Sequence, residues 1–405
     1  MERVYTPHPT PYSPHIPMSV NSELDQPYRR RPQSWLVTAW AWVFNLTLYG
    51  LLGLVVVNVN RIAIRAQLAG GSSLFGSFLR LLLVGAALLL LTSAVHELGH
   101  LLGGRLAKLR FHLLVVGPLK ISRETGKLRL GLSRGGAFNG LAACIPEEIY
   151  DLRRRMLLFA LGGPVASLLL ALLAGALFYG LPSTAPAWLG EGAAITAVSS
   201  LIFFLTSMKP GTYPNGMPAD GGRILMLLQN GAEAQRWCAL VALNSADVQG
   251  QRPRDWDETM VQQVLAGLDA SSEGMMARLL VYQWMVDNGR FSQANLLLDD
   301  AFTLRASRFP GAVGRFTLEK AYLLAMYQNN PAEGREWLER LHRRSHKHPL
   351  SCRAEAAVLL REGDHTAAHA RATIGLDILR HHPQTGANLA EAAWLQAILD
   401  QAKGD

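Results

Sequence analysis

Long apolar runs bounded by charges dominate the first half of this chain. No residue between Arg31 and Arg61 is charged, and Trp35, Trp40 and Trp42 gather near one end as an interfacial aromatic belt does. Further runs extend from about Ser77 to Ala107, from Met156 to about Leu181 and from Gly192 to Met208. Their flanks are Arg80 and Arg105, then Arg153-Arg154-Arg155, then Glu191 and Lys209. A membrane-crossing helix needs about 20 apolar residues, so the pattern predicts four spans with both termini on one side. Between the second and third runs, Phe111 to Ile121 and Lys127 to Leu132 are β-rich around the turn-like Glu124-Thr125-Gly126-Lys127.

From about Gly231 the period changes. Ala294, Leu297, Leu298 and Ala301, or Ala390, Ala393, Ala397 and Ile398, mark the apolar stripes of soluble helices. Asn288-Gly289-Arg290, Gln328-Asn329-Asn330 and Glu362-Gly363-Asp364 punctuate helix pairs at offsets of 40 and 34 residues, which predicts degenerate tetratricopeptide-like repeats. The expected fold is thus mainly α: a polytopic membrane bundle with a small β-rich insertion, then a soluble α-solenoid-like domain. Its expected parts are a flexible cytoplasmic tail (1–34), the membrane domain (35–230) and a cytoplasmic helical-repeat domain (231–405), the tail being too proline-rich to build a core.

Charge sharpens this picture. The 405 residues carry 20 Lys and Arg against 10 Asp and Glu up to position 230, then 19 against 21. The basic excess sits beside the apolar runs, where it contacts lipid headgroups, so a lipid bilayer and not nucleic acid is the expected partner. The basic stretch from Arg105 to Arg155 and Arg29 to Arg31 place both termini in the cytoplasm by the positive-inside rule, and no cleavable signal peptide is evident. Cys144, Cys238 and Cys352 lie far apart without ligand spacing, as packing thiols do.

Chemistry enters with His96-Glu97-Leu98-Gly99-His100, set inside an apolar run that has no charge from Leu81 to Val95. Two histidines four apart share one helix face and can ligate one zinc ion, while Glu97 points about 100° away, suited to act as general base. Such a cluster in an apolar run is costly unless it is functional. Asp220, the sole carboxylate near the Gly- and Pro-rich break after the fourth run, is the candidate third ligand; its alternative role is an N-cap of the following helix. His365 and His369 repeat the four-residue spacing without a glutamate between them and read as surface residues, as do His342, His346 and His348 in a basic turn.

Taken in order, HELGH, Gly162-Gly163-Pro164 and Asp220-Gly221-Gly222 resemble the site-2 protease family of intramembrane zinc metalloproteases over about residues 77 to 230. The resemblance implies zinc (Zn2+) held by His96, His100 and Asp220, with Glu97 as catalytic base. It departs at Ser167, where the family often has Asn after Gly-Pro, and at the Asn that usually precedes a proline: alignment on Pro210 gives Ser207, and alignment on Pro218 gives Asn215 with too short a gap to Asp220. The expected activity is hydrolysis of a peptide bond in or beside a membrane segment of a protein or peptide substrate, in a multi-pass protein of a bacterial plasma membrane. A cytoplasmic protein partner is expected on residues 231–405. The competing expectation is a non-catalytic membrane scaffold that binds proteins through the repeats.

Overall fold

The computed structural model describes residues 74–124, 127–133, 140–212, 218–304, 310–341 and 348–403. The expected first span, the N-terminal tail, the Thr125-Gly126 turn, Asn215 and the histidines His342 and His346 lie outside these residues.

The protein is mainly helical with one small antiparallel sheet. Three helices among the described residues are long and apolar enough to cross a membrane: α1 (Leu74–Leu106), α2 (Leu152–Gly180) and α3 (Ala187–Ser207). They pack on one another, yet Leu91, Leu98, Leu102 and Leu106 of α1 and Leu169, Leu172 and Leu173 of α2 point outward and exposed. In water such an apolar exterior is unfavourable, and in acyl chains it is not. α1 and α2 meet backbone to backbone. A Cβ on Gly99 or on Gly162 would strike the other's carbonyl, and one on Gly103 would strike the Leu158 carbonyl. Small residues four apart are what lets membrane helices approach this closely.

After α1 the chain turns at Lys108, whose φ is +56°. It then forms β1 (Leu109–Val116), β2 (Leu119–Glu124), β3 (Lys127–Leu132) and β4 (Gly140–Pro146), in the spatial order β3-β2-β1-β4 with every pair antiparallel. The expected stretch Phe111 to Ile121 is therefore two strands. Gly117, at φ +55°, takes the left-handed conformation that reverses the chain there. β4 was not predicted.

A further correction concerns Arg153-Arg154-Arg155. These residues lie inside α2. Arg155 is buried, and its Nε and Nη2 donate to the carbonyls of Ala107 and Lys108 at 2.8 and 2.7 Å. It thereby satisfies acceptors that the end of α1 leaves open. Arg153 donates to the Leu227 carbonyl at 3.0 Å. Only Arg154 is exposed, so two of the three read as flanking charges are internal ties.

Following α3 come α4 (Asp220–Gln229), α5 (Ala232–Val248), α6 (Glu258–Leu265), α7 (Ser272–Asp287), α8 (Phe291–Thr303), α9 (Pro310–Tyr327), α10 (Pro331–Glu339), α11 (Pro349–Arg361), α12 (His365–Arg380) and α13 (Gly386–Lys403). The three expected punctuation sites fall between α7 and α8, α9 and α10, and α11 and α12. Gly289, Asn329 and Gly363 adopt positive φ there. Ala294 and Ala368, just past two of these turns, are fully buried. At the centre of this half, Arg353 of α11 donates to Glu319 of α9 at 2.7 Å and to Glu391 of α13 at 2.8 Å. Its guanidinium lies 3.9 Å from the Tyr322 ring centre and 4.8 Å from that of Trp394.

The expected boundary at 230–231 falls between α4 and α5, and α5 joins the two halves. Ala234, Trp237 and Ala242 belong to one core with Leu152, Met156 and Leu227, while Ala239, Leu240 and Leu243 belong to the core of the later helices.

Candidate metal centre

His96 and His100 both lie on α1, one turn apart, with their rings edge to face and centroids 4.8 Å apart. Their Nε2 atoms are separated by 3.2 Å. Asp220, the first residue of α4, brings its Oδ2 to 3.2 Å from His96 Nε2 and 3.4 Å from His100 Nε2. Three donor atoms in a nearly equilateral triangle are the face of a tetrahedron. For bonds of about 2.0–2.1 Å a tetrahedral ion has ligand atoms about 3.3–3.4 Å apart. The donor set, two imidazoles and one carboxylate, therefore fits a divalent metal ion both in spacing and in kind. Among the described residues it is the one group of histidines, cysteines and carboxylates so arranged.

The far sides of the rings are tied. His100 Nδ1 lies 2.9 Å from the Phe159 carbonyl, which can only accept, so Nδ1 carries the proton and Nε2 keeps its lone pair for the triangle. His96 Nδ1 lies 2.9 Å from Ser167 Oγ, a fully buried hydroxyl able to donate or accept, which ties that side of the ring. Phe159, Gly163 and Ser167 are spaced by four on one face of α2. Gly163 sits between the other two because a Cβ there would collide with the His100 ring. Ser167, in the sequence a departure from a family pattern, is the residue that orients His96. The four-residue stripe on α2 was the readable signal for it, and sequence reasoning missed it.

Asp220 is placed by its neighbours. Ala219, not Asp220, is the N-cap of α4, and Asp220 does not cap the helix with its side chain. A Cβ on Gly221 would meet the Met208 carbonyl, and one on Gly222 would meet the Gly211 carbonyl at 2.5 Å, so the Gly-Gly pair lets α4 abut the segment after α3. The Ala219 N–H donates to Gly211 O at 2.9 Å, and Thr212 bridges to Pro218. The Asp220 carboxylate faces both histidine Nε2 atoms. The side chain stays 27% exposed, which leaves a path for water.

Glu97 is buried beside this triangle with β4 lying across it. A Cβ on Gly140 would strike Glu97 Oε1, and the Ala142 backbone hydrogen-bonds to the carboxylate. β4 is an outer strand of the sheet among the described strands. The sequence thus missed an element whose backbone touches the candidate base.

The other histidine pair does not form a centre. His365 and His369 are half-buried on α12, not fully exposed, and no third ligand joins them among the described residues. Ser207 is buried and donates to the Phe204 carbonyl of its own helix at 3.1 Å. The three cysteines form no disulfide, and burial pushes the Cys144 thiol up to about 11. No protein-family model, no curated protein and no solved structure matches this chain.

Proposed function

We propose that this protein is a membrane-embedded zinc endopeptidase of the site-2 protease type, hydrolysing a peptide bond in or beside a membrane-spanning segment of a protein or peptide substrate. The observation that carries the reading is the His96, His100 and Asp220 triangle with a buried glutamate next to it in an apolar helix. Neither a core-packing nor a capping role accounts for three converging ligand atoms, two of them on imidazoles whose far nitrogens are already tied. Zinc bound there supplies a Lewis acid for the scissile carbonyl and acidifies water. Glu97 accepts a proton from the attacking water and returns it to the leaving amine. His96 and His100, held by Ser167 and the Phe159 carbonyl, would keep their Nε2 atoms turned toward the ion.

The outer edge of β4 gives an extended substrate backbone a strand to pair with, and Gly140 brings that edge against Glu97. An unwound peptide is what such chemistry needs, because a helix hides its carbonyls in its own hydrogen bonds. Residues 231–405, helices α5 to α13, are read as a cytoplasmic α-solenoid that binds a protein partner, with both termini in the cytoplasm. Zinc content and substrate cleavage test the reading together. Glu97→Gln keeps zinc and abolishes cleavage, whereas Asp220→Ala loses both. Wild-type cleavage by the Glu97 variant removes the base from the mechanism. A purified protein without Asp220-dependent zinc favours the non-catalytic scaffold.

A further inference from the structure

Asp220 differs from the two histidines in where it is anchored. α4 has ten residues, too few to hold together without tertiary contacts, so its placement comes from what it touches. Its C-terminal part is fixed by fully buried Leu227 and by Arg153 on the Leu227 carbonyl. One turn beyond Asp220, Arg223 reaches into the following helices. Its Nη2 donates to Glu273 Oε1 at 3.0 Å, and its guanidinium lies 4.1 Å from the Trp237 ring centre. Trp237 Nε1 donates to that same oxygen at 2.8 Å. Glu273 sits in the first turn of α7, where the helix dipole favours a carboxylate. The side chains of Arg223 and Glu273 are only 14% and 18% exposed, so the pair is poorly screened.

We propose that Glu273 is a positioning residue for the metal centre, holding α4 through Arg223 and Trp237 so that Asp220 stays in register with His96 and His100. This rests on the reading of those three residues as a metal cage. Asp220 and Arg223 belong to one rigid turn and move together. Asp220 lies about 10 Å along the helix from Leu227, so a tilt of about 5° about that end carries its carboxylate about 0.9 Å. Metal–ligand bonds tolerate about 0.2 Å. The ion pair is thus placed where a small loss of restraint becomes a large loss of coordination, and it links helices after position 231 to the third ligand.

Zinc affinity of the full-length protein in detergent, measured by chelator competition, tests this, with the d–d spectrum of the cobalt(II)-loaded form as a second readout. Glu273→Gln keeps the size of the side chain and an acceptor for Trp237 but removes the charge. It is expected to weaken zinc binding about 10- to 100-fold and to change the cobalt bands, the size of effect seen when groups supporting metal ligands are removed. Asp287→Asn is the control. It removes the charge that holds Arg252 at the other end of α7, away from α4, and is expected to stay within about twofold of wild type because it shares no partner with Asp220. Arg223→Lys keeps the charge but not the planar stack and is expected to fall between Glu273→Gln and wild type. Affinity and spectrum unchanged in Glu273→Gln overturn the proposal, and so does an equal loss in Asp287→Asn, which marks general loosening of the helices. Wild-type protein without Asp220-dependent metal refutes the cage itself, a result visible before any change at Glu273.

Discussion

Gly163→Ala tests whether α2 sets the position of His100. The added methyl would stand 2.6 Å from Cδ2 and 2.7 Å from Cε1 of the ring, and closer still to Nε2. Ordinary contact begins near 3.4 Å, so the two ring carbons must withdraw by about 0.7–0.8 Å and Nε2 by more. The backbone has little room to yield instead, since the adjacent Gly162 already rests on the Gly99 carbonyl. A withdrawal of this size takes Nε2 out of the triangle and lengthens the 2.9 Å contact of Nδ1 with the Phe159 carbonyl. Metal affinity should drop about 10- to 100-fold, equivalent to about 1.4–2.8 kcal/mol. Chelator competition on purified protein measures it, with circular dichroism confirming that the helices remain. Gly175→Ala is the matched control, because it lies on the same helix with nothing within 4 Å of its Cβ, and it should bind metal as wild type does. Wild-type affinity in folded Gly163→Ala would refute the packing argument.

Two further expectations concern the later helices. Arg353→Met leaves Glu319 and Glu391 buried without their cation, and should cost about 3–5 kcal/mol in urea denaturation; a loss below about 1 kcal/mol would mean that the two carboxyls take up protons at little cost. His348 caps α11 by accepting the Leu350 N–H on Nδ1 at 3.3 Å, which only the neutral ring can do. The ring keeps an exposed edge, yet desolvation, then Arg315 and His382, lower it from the ordinary 6.5. The unfolded chain therefore takes this proton first. The contribution of His348 is complete above pH 6.5 and declines as pH falls from there toward the folded value. Thermal melts at about pH 7.5 and 5.5 should differ less for His348→Asn, which caps without titrating, and an identical pH slope would discount the cap.

How much of this was readable in the sequence depends on the length of the pattern involved. The i, i+4 histidines needed only the helical repeat, and the apolar run made the helix certain enough to place both on one face. Asp220 stood out because it was the sole carboxylate beside a break. Long-range partners left no local trace: the glutamate 50 residues after Arg223 and the carbonyls that Arg155 satisfies are neighbours only after folding. β4 escaped because Gly-Leu-Ala-Ala-Cys-Ile-Pro has small residues where strands usually carry β-branched or aromatic ones. Those same small residues let its backbone lie on Glu97. The Gly117 reversal was hidden in a continuous apolar stretch, and the arginines of α2 looked like headgroup contacts because sequence cannot distinguish a flanking charge from a buried tie. The repeat punctuation was legible because left-handed turns call for Gly or Asn.

The double membership of α5 also decides how the molecule comes apart. With Trp237 in one core and Leu240 in the other, neither core can lose the helix without exposing apolar surface that the second still needs covered. Denaturation of the later helices and loosening of the half that holds His96, His100 and Asp220 are coupled in one cooperative transition instead of two independent ones. The same geometry fixes where the chain can be divided. A cut at residue 240 splits α5 and strips a face from each core, so a shortened protein that keeps its first half intact has to retain the chain through Val248.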